Sequence, residues 1–259
     1  MSALARLAGS TLRARFLPFV YAAAALVIVW QLIVTATKPD PSVLPPPLDV
    51  ASTFGHLLVG GQLVVDTAYS VGRVVSAWLL SAIVAIPLGL MMGSSRALER
   101  FINPFIELLR PISPLAWIPM AILWFGIGEL GKVFVVFIGT FFPILLSTIA
   151  GVKAVDPTLL HAGQVFGCDT RIALFRRVVV PASLPSVVVG LRVAFGTGWA
   201  AIIAAELVAA HTGLGYLIAN GMDILRADQV LAGMIVIGVL GFLFDTFFRY
   251  LQRRYARDS

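Results

Sequence analysis

Apolar runs of about twenty residues limit this chain more than any other feature, because each can cross a hydrocarbon layer about 30 Å thick as a helix. Five are nearly continuous, over residues 16–37, 71–93, 133–152, 186–210 and 230–248, and a sixth, 104–125, is broken by prolines. Of the 259 residues, 59% are hydrophobic and 12% charged, against roughly 25% charged in soluble domains. Backbone amides in lipid must be satisfied internally, and continuous apolar runs do this as helices rather than as a barrel. The chain is therefore predicted to be an all-α polytopic membrane protein with about six transmembrane helices. They form one domain, 16–248, between an N-terminal tail, 1–15, and a C-terminal tail, 249–259.

The first run follows MSALARLAGSTLRAR, which carries Arg6, Arg13 and Arg15 and no acid. It is longer than a signal-peptide core and no clear small-residue cleavage site follows, so it is read as an uncleaved span. Proline-rich KPDPSVLPPPLDV comes next, extended or turning, with an interfacial helix expected over 50–65. Gly89 and Gly93 form a GxxxG pair that lets helices approach closely, although such pairs also arise readily in Gly/Ala-rich spans. Pro104, Pro111, Pro114 and Pro119 suit a broken helix that faces protein or a cavity. Glu107 and Arg110, three residues apart, can pair on one helix face near the membrane boundary.

Six spans place both termini on one side. That side receives Arg6, Arg13, Arg15, Arg96, Arg100, Lys153, Arg171, Arg176, Arg177, Arg249, Arg253, Arg254 and Arg257, and the other only Lys38, Lys132 and Arg226, with Arg73, Arg110 and Arg192 left uncounted near span ends. The asymmetry makes the basic side cytoplasmic. It also explains the net charge of +6 without a nucleic-acid partner.

One polar stretch, DPTLLHAGQVFGCDTRIALFRRVVVPASLP (156–185), interrupts the apolar pattern on the cytoplasmic side. Asp156 followed by Pro157 is a helix start. Gly167 is a natural stop, Asp169 or Thr170 can cap a second helix, and that helix is expected to end before Pro181. A loop between two spans needs only a few residues. A helix–turn–helix of this length calls for a partner groove.

GIGELGK (126–132) nearly matches a phosphate-binding loop. Val133 occupies the position of the Ser or Thr that would meet magnesium, and no strand precedes it, so phosphate binding is rejected. His56, His161 and His211 show no metal-ligand spacing, and no nucleophile motif is evident. The single Cys168 excludes an internal disulfide.

The polar stretch resembles the EAA loop of permease subunits of bacterial ATP-binding-cassette importers. It carries His161-Ala162-Gly163, Gly167, Val178 and Val180-Pro181, but His161 replaces the acid, Gly163 replaces the second alanine, and one extra residue lies before Pro181. A wider resemblance, over nearly the whole chain, points to the taurine, alkanesulfonate and nitrate branch. Its carriers are LPPP (44–47), LRPISPLAWIPMAILWFGIGELGK (109–132), AGVKAVDP (150–157), AAELVAAHTGLGYLI (204–218) and DQVLAGMIVIGVLG (228–241). The resemblance implies a type I importer permease fold and a non-catalytic subunit that pairs with a second copy. It implies two separate ATPase subunits, which hold ATP and magnesium, and a periplasmic or lipid-anchored binding protein. The contact with the ATPase would be made by His161, Ala162, Gly163, Gly167, Arg171, Arg176, Arg177 and Pro181. The substrate expected is taurine or another aliphatic sulfonate, with nitrate, bicarbonate and aromatic acids open. A secondary transporter is disfavoured because the chain shows no clear internal repeat and one deep acid.

That acid is Glu206. A carboxylate deep in a span costs about 2.5–3.5 kcal/mol on insertion scales, so Glu206 either lines the translocation pathway or makes a structural ion pair. Arg192 supplies positive potential for an anion or snorkels to headgroups. Trp117, Trp124 and Trp199 line the cavity or pack in an interfacial belt.

Overall fold

The computed structural model describes residues 21–255 and is helical throughout its ordered elements. The expected N-terminal tail, the start of the first span and residues 256–259 lie outside the described residues. An apolar helix α1, Tyr21–Thr37, leads the described chain. It is followed by α2, Pro47–Val59, with proline in its first turn. This places the expected interfacial helix a few residues earlier than 50–65. Gly60 and Gly61, the latter at φ +76°, then turn the chain into α3, Gln62–Ser94.

The beginning of α3 corrects the expected start at Val71. Hydropathy misses its first turns because Asp66 and Ser70 lie there, with Arg73 just beyond, yet all three are buried. They face protein rather than lipid, so the lipid-facing stripe stays apolar. The helix continues through Pro87.

Helix α4, Arg96–Leu109, and α5, Ile118–Phe125, make up the proline-rich run, with one 3₁₀ turn, Pro114–Trp117, between them. The two halves are bent by 82°, so the run is a broken span. Its break falls at Arg110–Ser113, where Pro111 and Pro114 remove two backbone donors.

Helix α6, Glu129–Lys153, is the centre of the bundle, with α3 on one side and α9, Val180–Ala209, on the other. Both contacts are lined by small residues, which let backbones close without an aqueous hydrophobic drive. A Cβ on Gly89 would stand 2.7 Å from Thr148, and one on Gly93 2.6 Å from Val152. The GxxxG pair is therefore a packing surface against α6. On the α9 side a Cβ on Gly190 would meet Ser147 at 2.5 Å, and one on Gly198 would meet Thr140 at 2.5 Å. Ser81 and Thr140 share a buried 2.6 Å hydrogen bond across the α3–α6 seam. Gly89→Leu is expected to destabilise the protein by about 1–3 kcal/mol through overpacking. The measurement is thermal unfolding in detergent, with the exposed Val84→Leu as control.

Three short helices complete the path to the C-terminus. Helix α7, Pro157–Val165, and α8, Arg171–Leu174, form the polar projection. Helix α10, Leu214–Asp223, lies between α9 and α11, Ala227–Tyr255. The expected C-terminal tail from residue 249 is helical as far as Tyr255, continuing α11.

By length and composition, α3, α6, α8 joined to α9, and α11 can each cross a membrane, and the bent α4–α5 pair makes a fifth candidate. The described part of the expected first span, α1, is a shorter apolar helix.

Candidate functional site

The projection is built by local capping. The Asp156 carboxylate accepts a 2.7 Å hydrogen bond from the Thr158 amide at the start of α7. That bond holds the Asp156 carboxyl below the ordinary carboxylate range. The cap is therefore intact above that range and is lost only as pH falls through the lowered value. Helix α7 ends at Gly167, whose φ of +89° reverses the chain. The Cys168 amide then bonds back to the Gly163 carbonyl at 2.9 Å. Thr170, not Asp169, caps α8, accepting from the Ala173 amide at 3.1 Å. Gly163 sits where α7 crosses the second helix, since a Cβ there would come within 2.8 Å of Val178.

The second helix does not end before Pro181. It passes through a π turn, Phe175–Val179, into α9. The wider turn shifts the hydrogen-bond register, so Pro181 takes a place near the start of α9, where a missing N–H is tolerated. The second helix of the projection is therefore continuous with a membrane span.

Its tip is apolar and exposed. Val165 is 83% exposed, Phe166 85% and Ile172 71%. His161, Gly167, Arg171, Arg176, Arg177 and Pro181 are exposed as well, while Ala162 and Gly163 are half-buried. None of the three arginines forms an ion pair among the described residues. Two exposed aliphatic side chains and a phenylalanine flanked by free cations make an adhesive, positively charged tip.

A second polar assembly lies at the opposite end of the bundle. Arg73 of α3, 4% exposed, donates through Nη1 to Glu206 Oε1 and to the Thr212 carbonyl, both at 2.7 Å. Through Nε and Nη2 it grips both oxygens of Glu129, at 2.6 and 2.7 Å. Lys132 adds a 3.0 Å bond to Glu129. The Glu206 carboxylate also accepts from the Ser70 hydroxyl and the Gly215 amide. Asp66 accepts from the Gly213 amide at 2.8 Å. The network ties α3, α6 and α9 to the link 210–213. Gly213, at φ +117°, is required there, because a Cβ would stand 2.4 Å from the Glu206 carboxylate.

The pathway candidates take the following places in the protomer. Glu206 is 1% exposed and its carboxylate pairs with Arg73 within the fold. Arg192 pairs with Asp245 at 2.8 Å and donates to Gln252, so its charge is met within the protomer. Trp199 is buried and donates to the Ile237 carbonyl at 3.2 Å. Trp117 packs with Trp124 and Phe134. Glu107 does not pair with Arg110; it accepts from Asn103. Arg73 was passed over in the sequence because it stands near the expected end of a span. The signal that could have found it is a deep acid, Glu206, that needs a cation.

Comparison with known proteins agrees with this picture. Residues 85–257 match the family described as binding-protein-dependent transport system inner membrane component. Together with the helical bundle, this makes the chain a membrane-spanning transport permease. It belongs to that family, within the permeases of ABC transport systems.

The chain is 42% identical over 234 residues to a putative ABC transporter permease of Methanocaldococcus jannaschii, covering 88% of this chain and 87% of that one. It is 37% identical over 237 residues to the taurine transport system permease TauC of Escherichia coli, covering 89% and 86%. The bicarbonate transport system permease CmpB of Synechocystis is 31% identical over 253 residues, covering 94% and 90%. A chain from the inward-facing MetNI methionine ABC transporter shares the fold, with a TM-score of 0.65 at 17% identity over 74% of this chain and 96% of that one.

Proposed function

We propose that this permease is the non-catalytic membrane subunit of an ATP-driven importer for a small organic anion, taurine or another aliphatic sulfonate first. The observation that carries the reading is the rigid projection α7–α8, with its exposed Phe166 and unpaired arginines. Two permease copies pair in the bacterial inner membrane, with both termini and the projections in the cytoplasm. Each projection docks in a groove of an ATPase subunit, and His161, Ala162, Gly163, Gly167, Arg171, Arg176, Arg177 and Pro181 form or support the contact. ATP and magnesium belong to the ATPase, and this chain holds no cofactor. A periplasmic or lipid-anchored binding protein delivers the substrate.

The mechanical step follows from continuity. Closure of the ATPase dimer moves the projection, and the unbroken helix from Arg171 to Ala209 carries that displacement into the bundle. The kinship to TauC supports the sulfonate reading, and the kinship to CmpB supports bicarbonate as the second candidate.

The test is co-purification and uptake. Tagged permease, coexpressed with its neighbouring ATPase and binding protein, is expected to retain the ATPase and to drive ATP-dependent uptake of taurine in proteoliposomes. Phe166→Asp is expected to reduce recovered ATPase about tenfold or more, the scale of losing one aromatic anchor, with unchanged membrane insertion. Transport by the permease alone would overturn the reading in favour of a secondary transporter.

A further inference from the structure

The helix break at Arg110 opens onto a cavity of about 590 Å³, bounded by α6 and α9. Its lining runs from Ile138 to Ser147 on α6 and from Val193 to Ala201 on α9, close to the midpoints of both spans. Arg110 therefore borders a cavity whose other walls lie at mid-length of two spans, a setting in which an unpaired cation is costly and marks a substrate or ion pathway.

The other arginines within membrane helices set the standard. Arg73 holds two carboxylates and Arg192 holds Asp245. Arg110 has no ion pair among the described residues, and the nearby Glu107 is turned to Asn103. No acid lines the cavity. Thr197 spends its hydroxyl proton on the Gly139 or Ala194 carbonyl. Ser147 makes no such bond among the described residues, so its hydroxyl is free to donate. A guanidinium, which only donates, and a hydroxyl able to donate in a largely apolar, acid-free space suit a planar or tetrahedral oxyanion.

We propose that the cavity at the α4–α5 break is an intramembrane anion site, in which Arg110 recognises the sulfonate or carbonate oxygens of the transported substrate and Ser147 assists. The inference rests on the importer reading above and names the residue that selects for negative charge. Arg110 caps the last turn of α4, its amide donating to the Ile106 carbonyl at 2.8 Å, and the chain breaks immediately after it, with Arg110 in the lining of the cavity.

The test uses the complete importer, with ATPase and binding protein, in proteoliposomes. Radiolabelled taurine, ethanesulfonate and bicarbonate are the probes. Arg110→Gln is expected to lower uptake kcat/KM about tenfold or more, while the ATPase still assembles. Arg110→Lys is expected to retain a substantial part of uptake. In a Cys168→Ala background, Arg110→Cys is expected to regain uptake after reaction with aminoethyl methanethiosulfonate, which restores a cation, and not after reaction with the sulfonatoethyl reagent. Full uptake by Arg110→Gln, or equal effects of the two reagents, would overturn the Arg110 assignment and leave the importer reading standing. Transport of none of the three probes by the unmodified importer, with uptake instead of solutes that carry no oxyanion group, would overturn the anion reading and this site together.

Discussion

Arg73→Met is expected to destabilise the folded permease by about 3–5 kcal/mol, the scale of removing one partner from a buried ion pair. The change leaves the Glu206 carboxylate, 1% exposed, without its cation. It also releases the Thr212 carbonyl and hydroxyl that fasten the link between α9 and α10. The measurement is thermal unfolding in detergent, with membrane yield as a second readout. The double variant Arg73→Met with Glu206→Met is expected to recover much of the loss, because exchanging a whole buried pair for apolar groups of similar volume is often close to neutral. Glu129→Gln should cost far less, since the Glu129 side chain is 59% exposed and water screens its pairing. If the double variant is no better than the single one, the Arg73–Glu206 pair is not the source of the loss.

The second large effect concerns coupling rather than stability. Gly167→Val is expected to abolish ATP-driven uptake, with a fall of about tenfold or more, while insertion and bundle stability stay near those of the parent. Gly167 sits at φ +89°, where a β-branched residue is a genuine outlier, and strain of about 1–3 kcal/mol falls on a two-helix projection with little core of its own. The Cys168–Gly163 backbone bond that closes the turn would yield first. Gly167→Ala should lie between. Uptake assays, paired with recovery of the ATPase on the tagged permease, separate lost docking from lost transmission. Normal uptake by the valine variant would remove the projection from the coupling path.

Both predictions depend on residues of unequal visibility. The caps of the projection were readable directly, because Asp156, Pro157, Gly167 and Thr170 act within two or three residues of their own positions. The family was readable too, since its motifs run along the chain. Arg73 was not, because its partner Glu206 lies 133 residues away. The same limit moved the start of α3 from Val71 to Gln62. Hydropathy adds up side chains without knowing which face they occupy, and Asp66, Ser70 and Arg73 all turn inward. Pro181 misled in another way: a local rule ends a helix there, while the π turn before it absorbs the missing donor.

The order of apolar runs, the polar interruption at 156–185 and its caps were determined by the sequence itself. They are local properties, set by transfer into lipid and by hydrogen bonds between near neighbours. The tertiary structure alone decided which charges find partners and which remain free. Arg73 and Arg192 meet carboxylates, while Arg110 is left facing a cavity. That division depends on how α3, α6, α9 and α11 pack, since an ion pair forms only where packing brings its partners within a few ångströms.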